Sequence, residues 1–207
     1  MDGSFFVNAH LDRCNPILQK AWFLLQFAAQ SQKKEQQNEY LLHFWESINE
    51  YYEQIAQFEG FQCGVGCSHC CFDNPHGVGT VEIHRIIPRL CAEQKKQIEA
   101  YFHEWSQLSQ QHTHLRQQAW KKQGRPCPLL KEGKCSVYDV RPLACRSFFS
   151  VHNPDWCHPL HPNHQKNPQI GHDDIHYLLE KISIQRGWGK SQDLISGLYH
   201  QIKEEKP

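Results

Sequence analysis

Cys63-Gly64-Val65-Gly66-Cys67-Ser68-His69-Cys70-Cys71 is the stretch on which the reading of this chain turns. Gaps of two or three residues between thiols let one loop offer two ligands to one metal without strain. Gly64 and Gly66 free the backbone for the tight turns that such a loop needs. Neighbouring side chains diverge in most backbone conformations, so Cys70 and Cys71 are expected to face different centres. A second, looser set follows at Cys127, Cys135, Cys145 and Cys157, so the two sets hold eight of the ten cysteines. Cys14 and Cys91 fall on helical stretches and are expected to be buried as small apolar side chains.

Working outward, the chain has 207 residues, which suits one compact unit with a helical appendage. Apolar residues make up 39% and aromatics 12%, enough to build a core and to exclude a wholly disordered chain. Lys plus Arg and Asp plus Glu both number 22, so no charge excess suggests nucleic acid as a partner. No run approaches the roughly 18 apolar residues of a membrane span. The start, Met1-Asp2-Gly3-Ser4, is acidic where a secretory signal is basic. A cytoplasmic, thiol-reducing location is therefore expected, and there ten cysteines and fifteen histidines call for metal rather than disulfides.

Around the cysteines the pattern is helical, so the expected fold class is mainly α with a small β-hairpin, a helical scaffold around a loop-rich metal site. Residues 1–59 read as an N-terminal helical segment, 60–160 as the cysteine-cluster domain and 161–207 as a C-terminal helical segment. Asn15-Pro16 makes an N-cap with proline at the first helical position. Ile17, Leu18, Ala21, Trp22, Leu25, Ala28 and Ala29 then share one face. A second stripe runs through Leu41, Phe44, Trp45, Ile48, Tyr52, Ile55 and Phe58, and the polar Ser31–Glu39 stretch favours two antiparallel helices.

Thr80 is expected to cap a short helix that Pro88 ends. One long helix is expected from about Leu90 to Lys122, with Ile98, Tyr101, Phe102, Trp105, Leu108 and Leu115 on its buried face. Glu132-Gly133, between two short apolar runs, is a hairpin signal. Two amphipathic helices close the chain, one capped by Asp173 or Asp174 and one by Ser191.

The chemistry of the thiols points to a metal. Zinc, iron or an iron–sulfur cluster takes about four converging thiolates, and imidazoles can replace some of them. Cys63, Cys67, Cys70, Cys71, Cys127, Cys135, Cys145 and Cys157 are the candidate ligands, more than one mononuclear site or one cubane uses. Either two centres share them or some stand by. Arg125, Lys134, Arg141 and Arg146 are placed to offset thiolate charge, Arg146 above all. His69 and His158 are the leading imidazoles among a group that includes His76, His152, His161 and His164. Asp73 and Asp139 are candidate acids near the metal, and no catalytic acid or base stands out.

In its joint layout the chain resembles the YkgJ-type cysteine-cluster family, described as a zinc- or iron-chelating domain. The resemblance rests on Cys63-x3-Cys67-x2-Cys70-Cys71, then Cys127-Pro128-Leu129-Leu130, Cys135-Ser136-Val137-Tyr138, Arg141-Pro142 and Cys145-Arg146-Ser147-Phe148, over about residues 60–160. It implies metal chelation. Two features depart from the family: Phe148-Phe149-Ser150 replaces an aromatic-proline step, and the spacer before Cys127 carries a long helical stretch. The three-cysteine loop also matches radical SAM enzymes, but the strand–helix alternation of their barrel is missing here.

Three functions follow as expectations. The first is a protein that chelates zinc or iron, with the metal ion as its partner. The second is an iron–sulfur redox or methyl-transfer enzyme, for which a flagellin lysine methylase with a similar cysteine cluster is a precedent. The third is a protein-interaction module built on a structural metal.

Overall fold

The computed structural model describes residues 15–57, 66–108, 113–148, 150, 153–166 and 173–204. Cys14, Phe58, Cys63 and His152 lie outside them.

Helix α1 (Pro16–Gln30) starts as its residues predict: the Asn15 side chain accepts from Ile17 N at 2.9 Å and Leu18 N at 3.2 Å. Helix α2 (Lys34–Ala56) returns along it, so the polar break does separate two helices. Leu18, Ala21, Leu25, Ala28 and Ala29 meet Leu41, Phe44, Trp45, Ile48, Tyr52 and Ile55 in one buried cluster. Buried Gln37 ties the pair, its amide donating to Ala28 O at 2.9 Å.

Helix α3 (Thr80–Ile86) is the hub of the molecule. Val81 faces the first cluster, whereas Ile83 and Ile86 face a second, built with Ile98, Leu129, Val137, Leu194 and Leu198. Its cap lies one residue earlier than expected. Gly79, not Thr80, is the N-cap, and Glu82 reaches back to accept from Gly79 N at 2.7 Å.

The long helix expected over 90–122 is two helices, α4 (Ala92–Gln107) and α5 (Thr113–Lys122). One straight helix would separate Trp105 from Trp120 by about 22 Å along its axis. Their ring centroids instead stand 5.6 Å apart, edge to face, because α5 folds back on α4. Arg116 joins the two, its guanidinium 3.8 Å over the Trp105 ring and its Nε donating to Trp105 O at 3.3 Å. Leu115, expected inside, is consequently exposed. Cys91, also expected to be buried, is exposed at the N-cap of α4. A cap residue sits at the rim of its helix and has no core to enter.

The hairpin forms as read. Strands β1 (Leu130–Lys131) and β2 (Lys134–Cys135) pair antiparallel, with Leu130 opposite Cys135. Glu132 and Gly133 both take positive φ, 52° and 74°, the backbone that a type I′ turn requires. A short helix α6 (Leu143–Arg146) follows.

Helices α7 (Asp173–Gln185) and α8 (Leu194–Glu204) complete the fold, α7 against α1 and α8 against α4. Asp193, not Ser191, caps α8: its carboxylate accepts from Ser196 N at 2.9 Å and Ser196 Oγ at 2.8 Å. Ser191 instead donates to Glu180 at 3.1 Å. Asp193→Ala is expected to lose about 2 kcal/mol of unfolding free energy, against under about 0.5 for Ser191→Ala. Urea titration of both variants checks this, and equal losses would return the cap to Ser191.

Candidate metal centre

The first cysteine turn is held by a short chain of polar contacts. Cys70 and Cys71 sit in a 3-10 turn over His69–Phe72. Just after it, buried Asn74 donates to Asp193 Oδ1 at 2.9 Å and accepts from Ile195 N at 3.1 Å. Asp73 takes Lys121 of α5 at 2.9 Å. The turn is thus pinned to the start of α8 and the end of α5.

The second set is brought against it. Cys127 N donates to Cys71 O at 2.5 Å, one backbone bond joining the two sets. The 3-10 turn Pro154–Cys157 packs on the His69–Phe72 turn, with His69 Nε2 at 3.2 Å from Asp155 and the Phe72 and His158 rings 4.8 Å apart. The two stretches therefore share one side of the molecule. Cys67, Cys70, Cys71, Cys127, Cys135, Cys145 and Cys157 all line a single cavity of about 980 Å³. Every one of them is a thiol, not half of a disulfide.

Cys70, Cys127, Cys135 and Cys145 feel one another's charge. Burial pushes the Cys127 thiol up to about 12, and the neighbouring sulfurs of Cys135 and Cys70 push the same way. Cys145 is driven well above the ordinary thiol range, first by burial and then by Cys127, Cys70 and Cys135. Burial also raises Cys135, with Cys70 adding and Arg141 and Arg146 opposing. Sulfurs that resist ionisation together are a poor set of free thiolates. A dication, which displaces the protons and supplies the missing positive charge, suits them. Among the described residues, however, no three His, Cys, Asp or Glu side chains are already arranged to hold an ion.

The surrounding side chains differ from those expected. His69 and His158 are engaged with Asp155 and with Leu160 N, whereas the imidazoles in the cavity wall are His76, His164 and His176. His176 was invisible as a candidate because it lies on α7, far from either cysteine set in sequence, at helical spacing from Asp173 and Glu180. Asp139 pairs with Arg89 at 3.2 Å and stays exposed.

Arg146 is buried, but its main bonds are to backbone: Nε donates to Arg141 O at 2.8 Å and Nη2 to Asp139 O at 2.7 Å. It braces the turn that carries Cys145, and burial lowers its own pKa to about 10. Arg125 pairs with Glu104 at 2.9 Å.

Glu82 is the residue that the sequence undersold. Only 1% exposed, it accepts from Gly79 N and, through its other oxygen, from Leu143 N at 2.8 Å, so one carboxylate joins the starts of α3 and α6. Burial raises its pKa, while those two N–H groups, His176 and Arg146 oppose the rise.

The family model that matches the chain is CxxCxxCC, described as a "putative zinc- or iron-chelating domain", over residues 62–169. That span takes in all eight clustered cysteines. No curated protein and no solved structure matches the chain.

Proposed function

Because the chain belongs to the CxxCxxCC family of zinc- or iron-chelating domains, we propose that Cys70, Cys127, Cys135 and Cys145 form its principal metal centre. The observation that carries this is that both cysteine sets line one cavity wall, joined by the Cys127 N to Cys71 O bond, with burial and neighbouring sulfurs raising the thiols of Cys127, Cys135 and Cys145. Four sulfurs from a turn, the hairpin with the loop before it, and a short helix match the number of ligands that zinc takes and equally the ligand count of an iron–sulfur cluster. Binding draws the sulfurs inward, releases their protons and ties three chain segments together. Cys63, Cys67, Cys71 and Cys157 are the reserve donors, for a second centre or for exchange of the first.

The reading is of a protein that holds zinc or iron. The test is elemental analysis with an anaerobic absorption spectrum of the full chain. About one metal or one cluster per chain is expected; folded protein that neither carries metal nor takes up added zinc or iron would reject it. Absorption near about 400 nm marks a cysteine-held cluster, and a colourless zinc protein excludes that form. The iron–sulfur enzyme stays as a second reading because the thiols open onto a cavity of substrate size, about 980 Å³.

A further inference from the structure

An ion and its sulfurs do not need this much room. A water molecule takes about 30 Å³ of liquid volume, whereas the cavity measures about 980 Å³ and falls among small-molecule sites in size. Beyond the thiols, its wall carries Leu129, Val137, Phe148 and Leu194, an apolar surface suited to an organic body. Tyr138 and Tyr177 stand in the same wall and are 43% and 69% exposed, so two phenol rings reach the mouth.

Among the described residues, one half-buried cation in that wall, Arg141, has no carboxylate partner. The Arg141 guanidinium lies 3.8 Å over the Tyr138 ring. Among the described residues no carboxylate stands within ion-pair distance of it, and its buried Nε–H finds no acceptor. Of the other cations in the wall, Lys121 is already paired with Asp73 at 2.9 Å, and Lys134 is exposed. Stacking on an aromatic face holds a guanidinium flat and leaves its fork free to take two oxygens. A two-oxygen partner offers such an unpaired guanidinium charge-assisted, two-pronged hydrogen bonds.

We propose that the cavity binds a small organic oxyanion, a carboxylate or a phosphate monoester, anchored on Arg141 with its body against Tyr138 and the apolar wall. The inference goes beyond metal binding and stands whether or not the thiols hold an ion.

Calorimetric titration of the full chain, with and without bound zinc, tests it using benzoate, phenyl phosphate and inorganic phosphate. At least one organic probe is expected to bind. Arg141→Gln should weaken it at least about tenfold, the loss of a charged two-pronged contact, while zinc content stays unchanged. Arg141→Lys, which keeps the charge but loses the fork, should fall between and decides the matter if Arg141→Gln does not fold. Inorganic phosphate binding as tightly as phenyl phosphate would remove the organic body from the proposal. Failure of all three probes, or equal binding by Arg141→Gln, overturns it. So does loss of zinc from folded Arg141→Gln, which would make the guanidinium a counter-ion of the thiolates. Arginine-dependent binding in a chain that takes up neither zinc nor iron leaves this inference standing and removes the metal reading.

Discussion

Cys145→Ser is expected to weaken metal binding by roughly a hundredfold. Structural zinc sites bind with about 10–16 kcal/mol, so one donor in four represents about 3 kcal/mol. A neutral hydroxyl is a poor substitute for a thiolate. Cys145 is the most telling position because Cys70, Cys127 and Cys135 all act on it, and because it rides on α6, whose first N–H donates to Glu82 and whose last residue is Arg146. Cys91→Ser is the control: that thiol is exposed at a helix cap and should leave affinity unchanged. Competition titration with a chromophoric chelator reads both variants. A Cys145→Ser chain that keeps wild-type affinity would remove Cys145 from the site.

The second large effect is expected at Glu82. Glu82→Ala leaves two buried N–H groups, on Gly79 and Leu143, without acceptors, and each is worth about 1–3 kcal/mol. A loss of about 3–4 kcal/mol in unfolding free energy follows. Because Leu143 opens the helix that bears Cys145, metal affinity should drop with it. The pH dependence has a definite sign. Burial raises the folded-state pKa above the ordinary 4.5, so between that value and the raised one the folded chain holds a proton that the unfolded chain has released. Stability therefore falls as pH rises through this window. The same slope should be missing in Glu82→Gln, which cannot titrate. Denaturant unfolding of metal-free protein across pH 4–7 or so measures it, and parallel profiles for wild type and Glu82→Gln would refute the assignment.

Elements formed by neighbours along the chain were legible. Asn15-Pro16, the stripes of α1 and α2 and the Glu132-Gly133 turn each follow from residues within a turn or two of one another, and the structure has them. Readings that depended on a distant partner went astray. The single helix over 90–122 failed because Trp105 and Trp120 stack by folding back, which no 3.6-residue period announces. Ser191 and Thr80 look like caps by type, yet Asp193 gains a third bond from Asn74 across the fold and Glu82 gains Leu143. In sequence Glu82 is an ordinary acid in the first turn of a short helix. Its burial depends on a partner 61 residues away.

What the sequence determined alone is the chemistry on offer: eight clustered thiols, soft donors whatever surrounds them, on a mainly helical scaffold with one hairpin. Donor type belongs to the side chain itself, and helix or turn preference to its near neighbours. Tertiary structure decided which donors line one cavity. Cys70, Cys127, Cys135 and Cys145 line one cavity because Asn74 ties the first cysteine turn to the cap of α8, Ile83 and Ile86 pack on Leu129 and Val137 around the hairpin, and Glu82 holds the start of α6; packing across such separations is a property of the whole core.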